Sequence, residues 1–137
     1  MHMKGEPRPM QAAPDYADAP LDVYDFLAGR IEACVAAGIA RHQITVDPGI
    51  GFGKTVDHNA EILRHTALFH GLGCPILIGV SRKNFIGVLS RGEPAKDRLG
   101  GSLAAGLVAL SQGAQMLRMH DIAQTLSLIH IPSPRDS

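Results

Sequence analysis

Three short apolar runs, each ending in charged or hydrogen-bonding residues, constrain this chain more than any other feature. Gln43-Ile44-Thr45-Val46-Asp47 is β-branched and closes on an aspartate before Pro48-Gly49. Pro75-Ile76-Leu77-Ile78-Gly79-Val80 is continuously apolar and runs into Ser81-Arg82-Lys83. Gln115-Met116-Leu117-Arg118-Met119 leads into His120-Asp121. Such runs read as strands buried on both faces, the signature of a parallel sheet.

Between them the period changes. Pro20 can open a helix whose apolar residues Val23, Leu27, Ile31 and Cys34 fall three or four apart, with Gly38 as its stop. Asp57 is a fitting cap for a second helix reaching about His70, with Leu63 and Ala67 inward. A short helix is expected after Arg82. A longer one carries Leu99, Leu103, Leu107 and Leu110 and ends at Gly113. Met1-His2-Met3-Lys4 reads as the exit of one more strand. The expectation is an α/β chain with about four parallel strands and alternating helices, half of an eight-stranded barrel. Parallel α/β folds gather their sites at the C-terminal ends of strands, where the polar residues fall here.

DPGIGFGKT, residues 47–55, fails as a phosphate loop. The glycine that a Walker A motif needs before Gly53-Lys54-Thr55 is replaced by Pro48. Gly49, Gly51 and Gly53 also lack the spacing of a dinucleotide fingerprint. A tight turn explains the glycines. It leaves unexplained an aspartate at the end of a buried strand, where an unpaired charge is costly. A carboxylate there can accept two parallel N–H bonds from a flat heterocycle with an amino-amide edge. Ser81 can cap the helix that follows it, and an anion can share that helix start. Lys83 is either a surface charge or a site residue. Arg118 and His120, two apart on a strand, point to one face and suit a phosphate or pyrophosphate. A His120–Asp121 surface pair beside an exposed arginine is the equal alternative. His42, His58, His65 and His70 show no metal spacing and read as structural, while His2 is open.

Formal net charge is zero, which offers no electrostatic footprint for nucleic acid or an anionic membrane. No apolar run approaches the roughly 20 residues of a membrane span, and no signal peptide is visible. Cys34 and Cys74 sit in apolar runs without a CxxC and read as buried free thiols, in keeping with a cytoplasmic protein.

Five blocks, MHMKGEPRPMQ, DPGIGFGK, SRKNFIG, RLGGSLAA and RMHD, stand in the order in which dihydropteroate synthases carry them. From Met1 to about Thr125 the chain resembles the C-terminal half of that family. The resemblance implies a (β/α)8 TIM barrel, a homodimeric parent and magnesium as cofactor. It implies condensation of 6-hydroxymethyl-7,8-dihydropterin pyrophosphate with p-aminobenzoate, in folate biosynthesis. Asp47 and Lys83 would hold the pterin, Gly79 would line its slot and Met1 would pack on its ring. Phe52 and Ser81 would face p-aminobenzoate and the sulfonamides that compete with it. Arg118 and His120 would hold the pyrophosphate, with Arg82 beside them. Lys83, Arg118 and His120 are the expected catalytic residues. No metal ligand is expected in this chain, because the family's lies in an upstream half. Met1 then reads as an internal methionine, and the polypeptide alone as inactive. Leu126–Ser137, LSLIHIPSPRDS, changes character and resembles a translated sequencing adapter. Residues 1–125 are therefore expected to form a partial pterin-binding barrel and 126–137 a non-native tail. Three competing readings are a methyltetrahydrofolate methyltransferase-like barrel, a non-catalytic pterin-binding fragment and a generic phosphate-binding barrel.

Overall fold

The computed structural model describes residues 1–4 and 15–130. It is a mixed α/β arrangement around a small parallel sheet. Helix α1 spans Ala19–Ala36. The Asp18 carboxylate accepts from the Leu21 amide at 3.0 Å, and Pro20 occupies the first turn, where its missing N–H costs nothing. Its inner stripe is Val23, Leu27 and Ile31, all buried.

Strands β1 (Leu77–Ile78) and β2 (Met116–Leu117) pair in parallel, with Leu77 opposite Met116. Val46 adds one parallel bridge to Ile76. His2 then donates its amide to the Asp47 carbonyl at 2.9 Å. Val46, β1 and β2 thus lie side by side in parallel and in chain order, and His2 adjoins the first of them through one hydrogen bond.

The regular strands are shorter than the sequence runs. A 3-10 turn, Arg41–Gln43, takes the start of the first run, because the Gln43 side chain binds the Ala40 amide and the Ile44 amide returns to Arg41. Only Val46 is left to bridge. Helix α2, Val56–Arg64, is capped by Thr55 and not by Asp57. The Thr55 hydroxyl accepts from the His58 amide and the His58 ring accepts from the Thr55 amide, each at 3.2 Å. The expected continuation to His70 is instead a 3-10 stretch, Thr66–Leu72. The buried Thr66 hydroxyl donates to the Ile62 and Leu63 carbonyls and competes with the helical ladder. The change of pitch turns Ala67 outward and brings Phe69 and Leu72 into the core.

Helix α3 covers Asn84–Leu89 and α4 covers Leu99–Ser111. The buried face of α4 is Ser102, Ala105, Gly106 and Ala109, whereas Leu107 is 49% exposed. The small residues face inward because the helix sits close on the sheet. A Cβ on Gly106 would stand 3.2 Å from the Leu117 side chain. Cys74 is buried, but Cys34 is only half-buried, since its place in α1 lies beside the inner stripe. Helix α5, Ile122–Ile129, crosses the boundary expected at 125/126 without a break. The residues from 131 onward lie outside the described set. Among the described residues, no helix is long and apolar enough to cross a membrane.

Candidate active site

Asp47 leaves the sheet after Val46 and is 8% exposed. Its Oδ1 accepts from the Gly49 amide at 2.8 Å, a turn that fixes the carboxylate's direction. Its Oδ2 accepts from the Arg118 guanidinium at 3.2 Å. The charge is therefore paired, and each oxygen keeps a lone pair for another donor. Gly79 makes the approach of Arg118 feasible, because a Cβ there would lie 2.9 Å from Nη2.

Lys83 reaches back over the loop after Asp47. Its ammonium donates to the Ile50 carbonyl and lies 4.7 Å from the centre of the Phe52 ring. Burial lowers its pKa to about 8, opposed by the charge of Asp47 and assisted by Arg118. Lys83 borders two clefts. One, of about 290 Å³, is lined by Gly79, Ser81, Lys83, Arg118, Met119 and His120. The other, of about 320 Å³, lies between Gly51, Lys54, Asn59, Lys83 and Phe85.

Ser81 does not cap α3, whose cap residue Lys83 makes no side-chain capping bond. The Ser81 hydroxyl is 2.8 Å from His120 Nδ1 and accepts the His120 amide at 3.1 Å. The alternative of a His120–Asp121 surface pair gives way to this contact. Asp121 instead forms a two-pronged pair with Arg82, at 3.1 Å to Nε and 2.5 Å to Nη2. That pair raises the Arg82 pKa and lowers that of Asp121. Arg82 also has φ +58°, a left-handed conformation that costs a side-chain-bearing residue of order 1–2 kcal/mol. The buried Ser102 hydroxyl accepts its amide at 2.8 Å, and Arg98 donates to its carbonyl at 3.0 Å. The RLGGS block thus braces the loop between β1 and α3.

The structure brings Asp47, Gly79, Ser81, Lys83, Arg118 and His120 together, with Phe52 against Lys83. Arg82 is nearby but engaged by Asp121. Met1 is 53% exposed and lines a separate cleft with Leu27, Ile31 and Val46. Among the described residues, no group of three or more His, Cys, Asp or Glu side chains could hold a metal ion.

Residues 1–120 match the family of pterin binding enzymes. The chain belongs to that family. Among the pterin-binding enzymes it resembles, the dihydropteroate synthase of Escherichia coli K12 is 42% identical over 131 residues, 96% of this chain and 46% of that protein. That of Neisseria meningitidis serogroup C is 47% identical over 126 residues, 91% of this chain and 44% of the relative. The chain thus spans about half the length of the curated relatives it matches. The Yersinia pestis dihydropteroate synthase in complex with a sulfonamide drug superposes with TM-score 0.89 at 43% identity, covering 92% of this chain and 46% of that one. The Xanthomonas albilineans dihydropteroate synthase with 4-aminobenzoic acid gives TM-score 0.86 at 41% identity, over 93% and 45%.

The sequence left His2 open and announced no place in the site for Lys54, Asn59, Arg98 or Ser102. Lys54 was legible as half of a GK pair, but it points inward, not toward a phosphate. His2 is 5% exposed, and burial followed by the charge of Lys54 pushes its pKa down to about 4. A folded-state value below the ordinary 6.5 means that the unfolded chain takes up the proton first. The stability that this imidazole contributes is complete above pH 6.5 and is lost as pH falls through about 4. Urea midpoints at pH 7, 5.5 and 4 are expected to drop more steeply for the natural chain than for His2→Gln; parallel slopes would contradict this.

Proposed function

We propose that this chain is the C-terminal half of a (β/α)8 dihydropteroate synthase and carries part of its active site. The enzyme would join 6-hydroxymethyl-7,8-dihydropterin pyrophosphate to p-aminobenzoate, giving 7,8-dihydropteroate and pyrophosphate in cytoplasmic folate biosynthesis, as a homodimer. The convergence of Asp47, Lys83, Arg118 and His120 from three strand exits carries the reading. It joins one buried carboxylate to several cationic or donor groups.

In this reading the Asp47 carboxylate accepts from the pterin amino-amide edge, and Lys83 donates to the pterin carbonyl and ring nitrogen. Gly79 leaves room for the flat ring, while Met1, in its separate cleft, is given no part in holding it. The methylene C–O bond breaks, and its electron pair leaves with pyrophosphate. Arg118 and His120, with Arg82 beside them, stabilise that departing charge from fixed positions, which spares the reorganisation that water would need. The amine nitrogen of p-aminobenzoate, placed between Phe52 and Ser81, forms the new C–N bond and sheds a proton to solvent. Sulfonamides would enter at the same place. The family's magnesium ion finds no three-ligand cluster among the described residues, so no step here is assigned to it.

The test is reconstitution. The 137-residue polypeptide by itself is expected to be inactive, because it spans about half of its relatives. Mixed with the N-terminal half of the Escherichia coli synthase, it should incorporate labelled p-aminobenzoate into dihydropteroate. Turnover by the polypeptide alone would refute the first expectation. Lack of turnover in a mixture whose halves associate would sink the second.

A further inference from the structure

We propose that Lys54 is a positioning residue of this site, an internal cation around which the 49–53 turn is built, so that Phe52 and Ile50 meet Lys83 and Asp47 keeps its place. The inference rests on the synthase reading for what the turn presents, and on geometry alone for how it is held.

Lys54 is 4% exposed. Its Nζ donates to the Gly49 carbonyl at 2.7 Å and to the Phe52 carbonyl at 2.9 Å. The third direction is taken by His2 Nδ1, at 2.9 Å. An ammonium has three N–H bonds, and three acceptors consume them. No donor remains for a bound anion, so Lys54 cannot act on substrate directly. Burial lowers its pKa to about 7. The three acceptors favour the charged form, because a neutral amine would turn a lone pair toward one of them.

The turn needs such a cation. Gly49, Gly51 and Gly53 all have positive φ, of 70°, 85° and 64°. This reversal aims the Gly49 and Phe52 carbonyls at one interior point, where two oxygen dipoles repel without a positive charge between them. On its outer side the turn carries the Phe52 ring and the Ile50 carbonyl, which Lys83 contacts. The His2 end links to Asp47. The His2 ring accepts from Lys54 while its amide donates to the Asp47 carbonyl at 2.9 Å. One buried ammonium therefore ties two neighbouring strand exits together.

The experiment uses this chain, alone and mixed with the Escherichia coli N-terminal half. Lys54→Met keeps the stem and deletes the charge. In the reconstituted enzyme the KM for p-aminobenzoate should rise about tenfold while kcat changes less than about threefold. In the chain alone, nitrogen-15 spectra should show His2 with an unprotonated Nδ1 in the natural sequence. In the variant the His2 and Phe52 signals should move. A KM within twofold of the natural value, or His2 protonated on Nδ1 at pH 7, overturns the inference. Should Lys54→Met fail to fold, His2→Phe removes one acceptor of three, and Phe52 signals unmoved by it are equally fatal. If a mixture whose halves associate shows no turnover, the synthase reading fails first. Unmoved Phe52 and His2 signals in Lys54→Met would then dismiss the internal-cation geometry separately.

Discussion

Asp47→Asn should cut kcat/KM of the reconstituted enzyme by about a hundredfold or more. The amide keeps an oxygen where Oδ1 accepts the Gly49 amide, so the turn survives. What disappears is the charge. Arg118 loses its partner at 3.2 Å, and the pterin edge would meet an amide with one donor side in place of two acceptors. A second signature follows from Lys83. The charge of Asp47 holds the Lys83 pKa up against burial, at about 8 in the natural chain. Removing it favours the neutral amine, so the limb on which activity falls with rising pH moves to lower pH. A rate profile taken from pH 6 to 9 checks both the loss and the shift. A variant with natural kcat/KM would remove Asp47 from the site.

Gly49→Ala should have the largest effect on stability, at least about 3 kcal/mol. Its φ of +70° is costly for any residue with a Cβ. The added methyl would also overlap the carbonyl oxygen of His2, which is backbone and cannot swing aside. Relief requires His2 to retreat from Asp47, breaking the hydrogen bond from its amide to the Asp47 carbonyl and pulling the His2 ring from Lys54. Urea unfolding of the 137-residue chain reads the loss, and Gly92→Ala serves as a control. That glycine also has positive φ, of 77°, but nothing lies within 4 Å of its would-be Cβ. Equal losses in the two variants would show that strain alone, not the His2 overlap, sets the cost.

The alternation of elements and the gathering of Asp47, Ser81, Lys83, Arg118 and His120 were legible in the sequence, because period and strand-end position depend on local pattern. The errors have physical causes of other kinds. The Thr66 hydroxyl altered a helix through a side-chain bond that periodicity does not register. The leucines of α4 mark a helix by their spacing, yet the close approach of helix and sheet puts Ser102, Ala105 and Gly106 on its buried face. Ser81 satisfied a capping rule but found His120, a partner 39 positions away. Lys54 was weighed only against outward ligands, since nothing local announces that two carbonyls and a ring will enclose it.

The left-handed backbone at Arg82 has one more effect. It reverses the chain between two adjacent site residues, so that Ser81 joins His120 in one cleft and Lys83 faces the Phe52 turn as well. The two side chains share the cleft of about 290 Å³ but hold to different partners, Ser81 to His120 and Lys83 to the Ile50 carbonyl. A replacement at 81 alters the wall beside the imidazole while the ammonium at 83 keeps its perch on Ile50, and the converse holds. That division of partners depends on the brace that the Ser102 hydroxyl and the Arg98 guanidinium give to the Arg82 backbone.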